Sequence, residues 1–164
     1  MASPVICVMK PDNPGQTQPQ VRLVCDFRYL NCYTQSDPFP VPDQEEILNK
    51  LGNFKYISVF DAYSGYWQTE VRPECQWLLG FVTHHGLWEW TPTPFGCKNS
   101  GSTFLRAIQE VLQPIKQFTA CYVDDMGVGA DTWEQHLVNL REFFIAIRDA
   151  GVTLNLSKSD FAKP

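Results

Sequence analysis

Two adjacent carboxylates, Asp124 and Asp125, lie between two apolar segments at residues 118–123 and 126–130. Apolar segments joined so closely are typical of a β-hairpin with the acids at its turn. Neighbouring side chains of a regular strand point to opposite faces, so the two carboxylates can approach one point only at such a turn. Aspartate is also favoured wherever a hairpin reverses, so turn chemistry alone accounts for the pair. The pair predicts a hairpin and leaves its chemistry open.

A third acid, Asp61, ends the segment Tyr56–Asp61, whose β-branched and aromatic residues are typical of a strand. A carboxylate at the end of an apolar strand is costly unless it is paired or bound to a cation. Mg²⁺ prefers oxygen ligands and commonly takes one or two carboxylates plus substrate phosphates. Two such ions about 3.5–4 Å apart stabilise the attacking and leaving oxygens of a phosphoryl transfer. Taken alone, the three acids fit any metal-dependent phosphoryl transfer, including that of a phosphatase or nuclease.

The order of the remaining elements predicts the fold class. Strands alternate with helices and hairpins, which is typical of an α+β domain with a mainly antiparallel sheet. Strands are expected at residues 21–25, 56–61, 67–71, 77–83, 87–91 and 152–156. Helices are expected to start after Asp43, at Asn99 or Ser100, and after Thr132. The residues of the last helix expected to face the core are Leu137, Leu140, Phe144 and Ile147.

Charge and composition exclude several classes of protein. With 13 basic and 18 acidic residues, the 164-residue chain has a formal charge of −5, whereas a simple basic nucleic-acid clamp usually has a pI above about 9. No run approaches the ~18 apolar residues of a membrane-spanning helix, and the opening segment has no basic leader. We therefore expect an intracellular protein that is neither membrane-bound nor secreted. The six cysteines include no Cys-x-x-Cys pair, so buried, reduced thiols are expected rather than a zinc site.

Four segments taken together resemble the motifs of reverse transcriptases, in the family's order and at its approximate spacing. Tyr122–Asp125 and Val59–Gln68 resemble the catalytic motifs. Thr93–Phe104 resembles the substrate-site loop with its following helix, and Arg22–Asn31 resembles a strand of the fingers. Within them, Ser-Gly-Tyr-x-Gln and Pro-Phe-Gly-x-Lys-Asn point to the pol polyprotein of the gypsy-type long-terminal-repeat retrotransposons.

The resemblance implies a reverse-transcriptase-like fold of fingers and palm. Residues 1–164 would form a single fragment of a reverse transcriptase domain, with fingers at roughly 1–55 and 75–100 interleaved with the palm. The family continues into a thumb, a connection and an RNase H domain, and we expect these to be missing here. The implied location is a cytoplasmic retroelement particle or the nucleus.

The resemblance also implies the catalytic centre. Asp61, Asp124 and Asp125 match the family's catalytic acids. In the family, the acids matched by Asp61 and Asp124 bridge two Mg²⁺ ions, for which Mn²⁺ can substitute, and the acid matched by Asp125 supports the site. The backbone carbonyl of Ala62 matches a further metal ligand.

Several positions match the family's substrate contacts. Lys10 and Arg22 match fingers residues that grip the incoming triphosphate, a role suited to charge-assisted contacts with phosphate. Tyr66 matches an aromatic gate beneath the sugar, where a ring would collide with a ribose 2′-hydroxyl and so favour deoxynucleotides. Phe95 and Gly96 match the loop beside the nucleotide.

Three further polar positions have less specific matches. Gln68 and Lys98 match positions near the template or substrate. Lys158 resembles a palm lysine assigned to protonating pyrophosphate, although a solvated lysine at a strand end accounts for it equally well. Two glycines depart from the family's pattern: Gly101 stands where proline is usual, and Gly127 lies where a bulky aliphatic residue is usual. We expect these glycines to loosen the helix start and the hairpin.

The implied activity is that of an RNA-directed DNA polymerase, a nucleotidyltransferase that adds deoxynucleotides to a primer 3′-hydroxyl by two-metal phosphoryl transfer. Its partners would be an RNA or DNA template with its primer and deoxynucleoside triphosphates, with no membrane. The alternative is a catalytically incompetent remnant, truncated or degenerate, with at most weak nucleic-acid or protein binding. A basic thumb would normally supply salt-sensitive phosphate contacts, so we expect weak duplex binding by these residues alone.

Overall fold

The computed structural model describes residues 2–9 and 21–163, with the backbone alone for Lys163. The strands in this part of the chain are β1 (Val5–Met9), β2 (Val21–Cys25), β3 (Tyr56–Ala62), β4 (Gly80–Thr83), β5 (Gly86–Glu89), β6 (Thr119–Tyr122), β7 (Asp125–Ala130) and β8 (Leu154–Lys163). The helices are α1 (Arg28–Tyr33), α2 (Gln44–Gly52), α3 (Ser100–Leu112) and α4 (Trp133–Asp149). Short 3-10 helices occupy Gly65–Gln68, Pro73–Leu79 and Gln113–Ile115. In the ranges described, no helix is long and apolar enough to cross a membrane.

The chain folds into two compact units. The first comprises the described residues up to Asp37 together with Thr69–Ser100, and it contains the two-stranded sheets β1–β2 and β4–β5. The second comprises Pro38–Gln68 and the described residues from Gly101 onward, and it contains the sheet ordered β6-β7-β3-β8. The division falls after Asp37, because α2 packs against β6 and β7 of the second unit, and the fingers boundary expected near residue 55 stays a prediction.

The core of the second unit lies on one face of its four-stranded antiparallel sheet. Side chains of β3 alternate, so Phe60 and Ala62 join the core formed with α3 and α4, while Asp61 faces the opposite side. Phe60 stacks on Phe143 of α4 with the ring centroids 4.9 Å apart. The alternation therefore places Asp61 on the face that this core does not occupy.

Helix α2 and the residues after it pack beside two glycines of β7. A β-carbon at Gly127 would overlap the Leu51 side chain, and one at Gly129 would overlap the Phe54 ring. These glycines alternate along β7 with the core residues Met126 and Val128, so α2 approaches the sheet face that carries Asp61. The Leu51 side chain occupies the space beside Gly127, and the expected loosening of the hairpin there stays a prediction.

Local patterns place the helix boundaries as predicted. The Asp43 side chain accepts a hydrogen bond from the Glu45 amide at the start of α2. The Thr132 side chain accepts one from the Gln135 amide at the start of α4. Gly151, whose φ of +70° suits a residue without a side chain, follows the end of α4.

One predicted strand is wrong, and another is shorter than expected. Gly65–Gln68 is a 3-10 helix, and only Glu70 of the predicted strand 67–71 forms an isolated bridge, to Pro92. The predicted strand 77–83 begins only at Gly80, because Pro73 starts a 3-10 helix that runs to Leu79. The predicted strand 87–91 corresponds to β5, which ends at Glu89.

The buried face of α4 also differs from the expected one. Its buried residues are His136, Asn139, Phe143 and Ile147, whereas Leu137 is 49% exposed. Hydrogen bonds offset the cost of burying the two polar side chains. Asn139 Nδ2 donates to Gly129 O at 2.9 Å, and His136 Nε2 lies 2.8 Å from Ser58 Oγ. Long-range partners therefore make polar residues tolerable in this core.

The first unit has a small core of its own, built around Cys25, Phe27 and Leu79. Trp90 Nε1 donates to Cys25 Sγ at 3.2 Å, which joins the strand β2 to the segment after β5. All six cysteines are free, but Cys7 and Cys32 are exposed, so the expectation of buried thiols is only partly correct.

Candidate active site

Three carboxylates gather at one end of β3 and β7. Asp61 pairs with Asp125 in the antiparallel register of these strands, and Asp124 lies in the turn that precedes β7. The Ala62 amide donates to Asp124 O at 3.0 Å and so ties this turn to the end of β3. The predicted hairpin is therefore present, and the three predicted catalytic acids lie together.

Asp124 is partly buried among like charges. Its Oδ1 atom is buried and has no hydrogen-bond partner among the described residues. Burial raises the pKa of Asp124, with added repulsion from Asp61 and Asp125 and a smaller opposing effect of Lys158. Partial desolvation, followed by the charge of Asp61, likewise raises the pKa of Asp125. A cluster with these properties favours binding of a cation or a proton.

Lys158 of β8 lies beside the acids. Its Nζ is 3.7 Å from Asp61 Oδ2, with the two side chains 65% and 21% exposed. An ion pair so open to solvent contributes at most about 1 kcal/mol. The pairing between β3 and β8 shifts register between Val59 and Asp61, just where β8 passes the acids. The structure thus places the predicted lysine near the predicted catalytic acids.

Left-handed backbone conformations flank the acids. Val123 precedes Asp124 with a φ of +53°, and Ser64 follows the end of β3 with a φ of +52°. Such conformations cost on the order of 1–3 kcal/mol each, are least favourable for a β-branched residue, and persist only where the surroundings hold them. Residues strained in this way cluster at functional sites, which agrees with the position of the acids.

Tyr66 lies on the 3-10 helix that follows β3. Its ring packs edge-on against Phe104, with the centroids 6.2 Å apart. Burial and the charge of Asp124 raise the pKa of Tyr66. A β-carbon at Gly65 would lie 2.9 Å from Asp124 Oδ1, so this helix approaches the acid closely only because residue 65 has no side chain. The predicted gate residue is therefore a neighbour of the predicted catalytic acids.

Gln68 directs its amide at backbone groups. Nε2 donates to Tyr63 O at 2.7 Å and to Thr153 O at 2.9 Å, while Oε1 accepts from Thr153 N at 2.7 Å. A carboxamide has two N–H donors, and both are used here. The structure thus gives Gln68 backbone partners, where the sequence indicated the template or substrate.

In the first unit, two segments predicted to contact the nucleotide lie together. The Arg22 guanidinium carbon is 4.9 Å from the centroid of the Phe95 ring, which is within cation–π range. Gly96 has a φ of +96°, and a β-carbon there would lie 3.2 Å from Cys25 O, so both conformation and space favour glycine. Lys10, the other predicted triphosphate contact, lies outside the described residues.

Asn31 holds the loop after Phe95, and sequence reasoning missed this role. Its Nδ2 donates to Gly96 O at 2.8 Å, and its Oδ1 accepts from Lys98 N at 2.9 Å. Lys98 Nζ donates to Thr34 O at 3.0 Å, so this ammonium also contacts backbone. The available signal was the position of Asn31 at the end of the fingers motif, which by itself indicates no partner.

The residues predicted to contact a metal ion are Asp61, Asp124 and Asp125, with the Ala62 carbonyl at the end of β3. Within the described residues, no three His, Cys, Asp or Glu side chains form a cluster that could hold an ion unaided. Mg²⁺ bound beside substrate phosphates commonly takes only one or two carboxylates, so this partial ligand set suits such an ion.

Family comparison identifies the class of protein to which this site belongs. Residues 8–164 match the family described as Reverse transcriptase (RNA-dependent DNA polymerase). The chain belongs to the reverse transcriptase family. The resemblance seen in the sequence motifs is therefore confirmed. Assignment to the gypsy-type branch stays a prediction, with which the transposon relatives below are consistent.

The relatives of this reverse transcriptase chain include polyproteins of transposons and plant viruses. It is 34% identical over 155 residues to the retrovirus-related Pol polyprotein from transposon 297 of Drosophila melanogaster, covering 94% of this chain and 14% of that protein. It is 34% identical over 160 residues to the corresponding polyprotein from transposon opus of the same species, covering 97% and 16%. The genome polyprotein of Petunia vein clearing virus (isolate Shepherd) is 32% identical over 148 residues, covering 90% and 7%. The chain thus spans a small part of these relatives.

Solved structures confirm the predicted fold of fingers and palm. The foamy viral protease-reverse transcriptase in complex with double-stranded DNA matches with a TM-score of 0.89 and 28% identity, covering 99% of this chain and 28% of that one. The foamy viral enzyme in complex with an RNA/DNA hybrid matches with a TM-score of 0.86 and 28% identity, covering 98% and 21%.

Proposed function

We propose that this chain is the polymerase region of a reverse transcriptase and adds deoxynucleotides to a primer 3′-hydroxyl on an RNA or DNA template. The observation that carries the proposal is the gathering of Asp61, Asp124 and Asp125, with the Asp124 Oδ1 atom buried and unpartnered among the described residues. Family membership supports this reaction class. The foamy viral enzyme was solved in complex with double-stranded DNA and with an RNA/DNA hybrid, which supports nucleic acid as the partner.

Divalent cations fit the acids. The raised pKa values of Asp124 and Asp125 reflect burial and repulsion that a cation would relieve. Asp61, Asp124, Asp125 and the Ala62 carbonyl would hold two Mg²⁺ ions, or Mn²⁺ in their place. Once bound, such ions neutralise charge that develops on the oxygens of a phosphoryl transfer.

The other predicted residues would bind and orient the substrates. Arg22, supported by the Phe95 ring, would contact the triphosphate together with Lys10, and charge-assisted contacts of this kind position phosphates for attack. Tyr66 would exclude the 2′-hydroxyl of a ribonucleotide by steric collision. Lys158, beside Asp61, would deliver a proton to the departing pyrophosphate.

The two compact units suggest how these tasks divide. We assign the unit containing Arg22, Phe95 and Gly96 to the fingers and the unit containing the acids to the palm. On this assignment α2 belongs to the palm, because it packs against β6 and β7. The thumb, connection and RNase H domains of the family would be separate parts of the full-length polymerase.

Primer extension tests the proposal directly. The wild-type chain is mixed with an RNA template annealed to a DNA primer, the four deoxynucleoside triphosphates and Mg²⁺, and extension is compared with that of Asp124→Asn. We expect the variant to lose activity by about 10³-fold or more, because it removes a charge on which the phosphoryl transfer depends. The matched control is Asp131→Asn, which changes an exposed aspartate just after β7 and should extend normally.

Two outcomes would overturn the proposal. A wild-type chain that extends no primer would favour the alternative of a catalytically incompetent remnant. Full activity of Asp124→Asn would remove that acid from the catalytic centre, whatever the wild-type activity.

A further inference from the structure

Residues 63–68 form a turn that carries Tyr66, and the Gln68 side chain closes it. Its Nε2 donates to Tyr63 O at 2.7 Å, which joins the two ends of this turn. The same nitrogen donates to Thr153 O at 2.9 Å, and Oε1 accepts from Thr153 N at 2.7 Å. Tyr63 N also donates to Thr153 O at 3.0 Å. Hydrogen bonds therefore join the two ends of the turn to each other and join the turn to the segment that leads into β8.

The backbone conformation of this turn requires support from its surroundings. Ser64 within it has a φ of +52°, a conformation that a non-glycine residue keeps only where its surroundings enforce it. At the centre of the turn, Gly65 lies against Asp124 Oδ1 and the Phe104 ring, so the turn has little freedom to move towards the acids. The Tyr66 hydroxyl lies beside Gly101, since a β-carbon added to that glycine would be 3.5 Å from the hydroxyl oxygen. A small displacement of the turn would therefore move the Tyr66 ring relative to its packing partners.

We propose that Gln68 is a positioning residue that fixes the Tyr66 ring and thereby sets the discrimination between deoxyribonucleotides and ribonucleotides. Both N–H donors of Gln68 are used by backbone carbonyls, so the side chain acts through the turn rather than through contact with a nucleotide. Steric exclusion of one hydroxyl depends on ring position to within about 0.5 Å, which makes the support of the ring decisive. This inference rests on the proposed role of Tyr66 as the gate.

The test compares two substitutions at this position. Gln68→Met keeps the length of the side chain and removes all three hydrogen bonds, whereas Gln68→Glu keeps an acceptor for Thr153 N and loses both donors. We expect Gln68→Met to lower the ratio of kcat/KM for dNTP to that for the matching NTP by about tenfold, and Gln68→Glu to lower it at least as much, because its carboxylate oxygen would face the Tyr63 and Thr153 carbonyl oxygens. Gln76→Met is the control, since Gln76 Nε2 also donates to a backbone carbonyl, that of Val71 at 3.1 Å, in the other unit.

A second measurement follows the turn itself. Amide hydrogen exchange at Thr153 and the NMR resonances of the Tyr66 ring are recorded for the wild type and Gln68→Met. Faster exchange at Thr153 with a shifted Tyr66 ring is the expected result. Faster exchange with unchanged nucleotide selectivity would show a merely structural role and overturn the inference. A raised KM for dNTP with unchanged selectivity would overturn it in favour of direct substrate contact.

Tyr66→Val separates this inference from the proposed function. If Tyr66→Val lowers the selectivity and Gln68→Met does not, only the positioning role of Gln68 fails. If Tyr66→Val leaves the selectivity unchanged, the gate itself fails. A wild-type chain without primer extension would overturn the proposed function and the selectivity role together.

Discussion

Asp61 lies directly opposite Asp125 in the antiparallel ladder of β3 and β7. Like charges placed opposite each other destabilise a sheet, and here Asp124 adds a third carboxylate in the adjoining turn. The chain therefore carries unfavourable electrostatics where its proposed chemistry is located. An arrangement that costs stability and is retained at a functional site is the usual form of a trade-off between stability and activity.

Neutralising Asp124 should stabilise the chain. We expect Asp124→Asn to raise the free energy of unfolding by about 1 kcal/mol at pH 7, because it removes repulsion from Asp61 and Asp125. The pKa of Asp124 is raised above its ordinary value of 3.8, so the folded state binds this proton more tightly than the unfolded state. Stability is therefore lost as pH rises from about 4 through the folded-state pKa, and the advantage of the variant should grow over that range.

Urea unfolding at pH values from 4 to 7 measures this difference, with Asp131→Asn as the matched exposed control. The electrostatic explanation would be contradicted if the stability advantage of Asp124→Asn over the wild type shrank as pH rises, or if there were no advantage at pH 7.

His136 should make stability fall in mild acid. Burial lowers the pKa of His136 below its ordinary value of 6.5. Ser58 Oγ accepts from Ala162 N at 2.9 Å and lies 2.8 Å from His136 Nε2, and the tautomer of the neutral ring sets which of these two atoms donates. Below pH 6.5 the unfolded chain binds the proton more readily, so stability is lost as pH falls towards the folded-state pKa.

The variant His136→Gln tests this pH dependence. We expect it to be about 1–3 kcal/mol less stable than the wild type at pH 7, with a smaller loss between pH 7 and pH 5. Unfolding by urea at each pH gives both quantities. His84→Gln, at an exposed position in the turn between β4 and β5, should reproduce the wild-type curve. Equal slopes for the wild type and His136→Gln would rule out His136 as the origin of the effect.

Adding one methyl group at Gly127 should weaken the packing of α2. The new β-carbon would overlap Leu51, so the helix or its side chain must move. We expect Gly127→Ala to lower the free energy of unfolding by about 1–3 kcal/mol, the usual range for overpacking. Gly52→Ala is the matched control, because a β-carbon there meets nothing within 4 Å. Equal thermal midpoints for the two variants would mean that the Leu51 side chain can move aside without lowering the stability of the chain.

Removing the Asn31 amide should weaken nucleotide binding. Asn31→Ala loses the hydrogen bonds to Gly96 O and from Lys98 N, which releases the loop beside Phe95. We expect the KM for dNTP in primer extension to rise about tenfold. Asn31→Asp keeps the acceptor for Lys98 N but sets a carboxylate oxygen against Gly96 O, so it should also raise the KM. Asn49→Ala, at an exposed position of α2, is the control, and an unchanged KM for Asn31→Ala would show that the loop needs no such support.

Short-range patterns predicted much of the fold. The helix starts at Asp43 and Thr132 depend on hydrogen bonds to amides two and three residues away, so the residues involved are close in the sequence. The hairpin that carries Asp124 and Asp125 was visible as two apolar segments around an acidic turn. Both signals are local, which is why they could be detected without a structure.

The same local reasoning failed where packing overrode propensity. The predicted strand 67–71 includes aromatic and β-branched residues, yet Gly65–Gln68 closes into a 3-10 helix held by the Gln68 amide. On α4 the apolar periodicity predicted that Leu137 faces the core, but in the structure His136 is buried and Leu137 is exposed. A buried histidine is acceptable there because Ser58 lies within hydrogen-bond distance of it.

The sequence by itself determined the family motifs, the positions of the three acids and the starts of α2, α3 and α4, because these depend on residue identity and short spacing. Only the tertiary structure decided what holds the site. Asn31 contacts Gly96, Ser58 contacts His136 and Gln68 contacts Thr153, at separations of 65, 78 and 85 residues. Amides and hydroxyls can pair with any backbone or side-chain partner that packing brings within about 3 Å, so their sequence positions carry no signal of which partner that is.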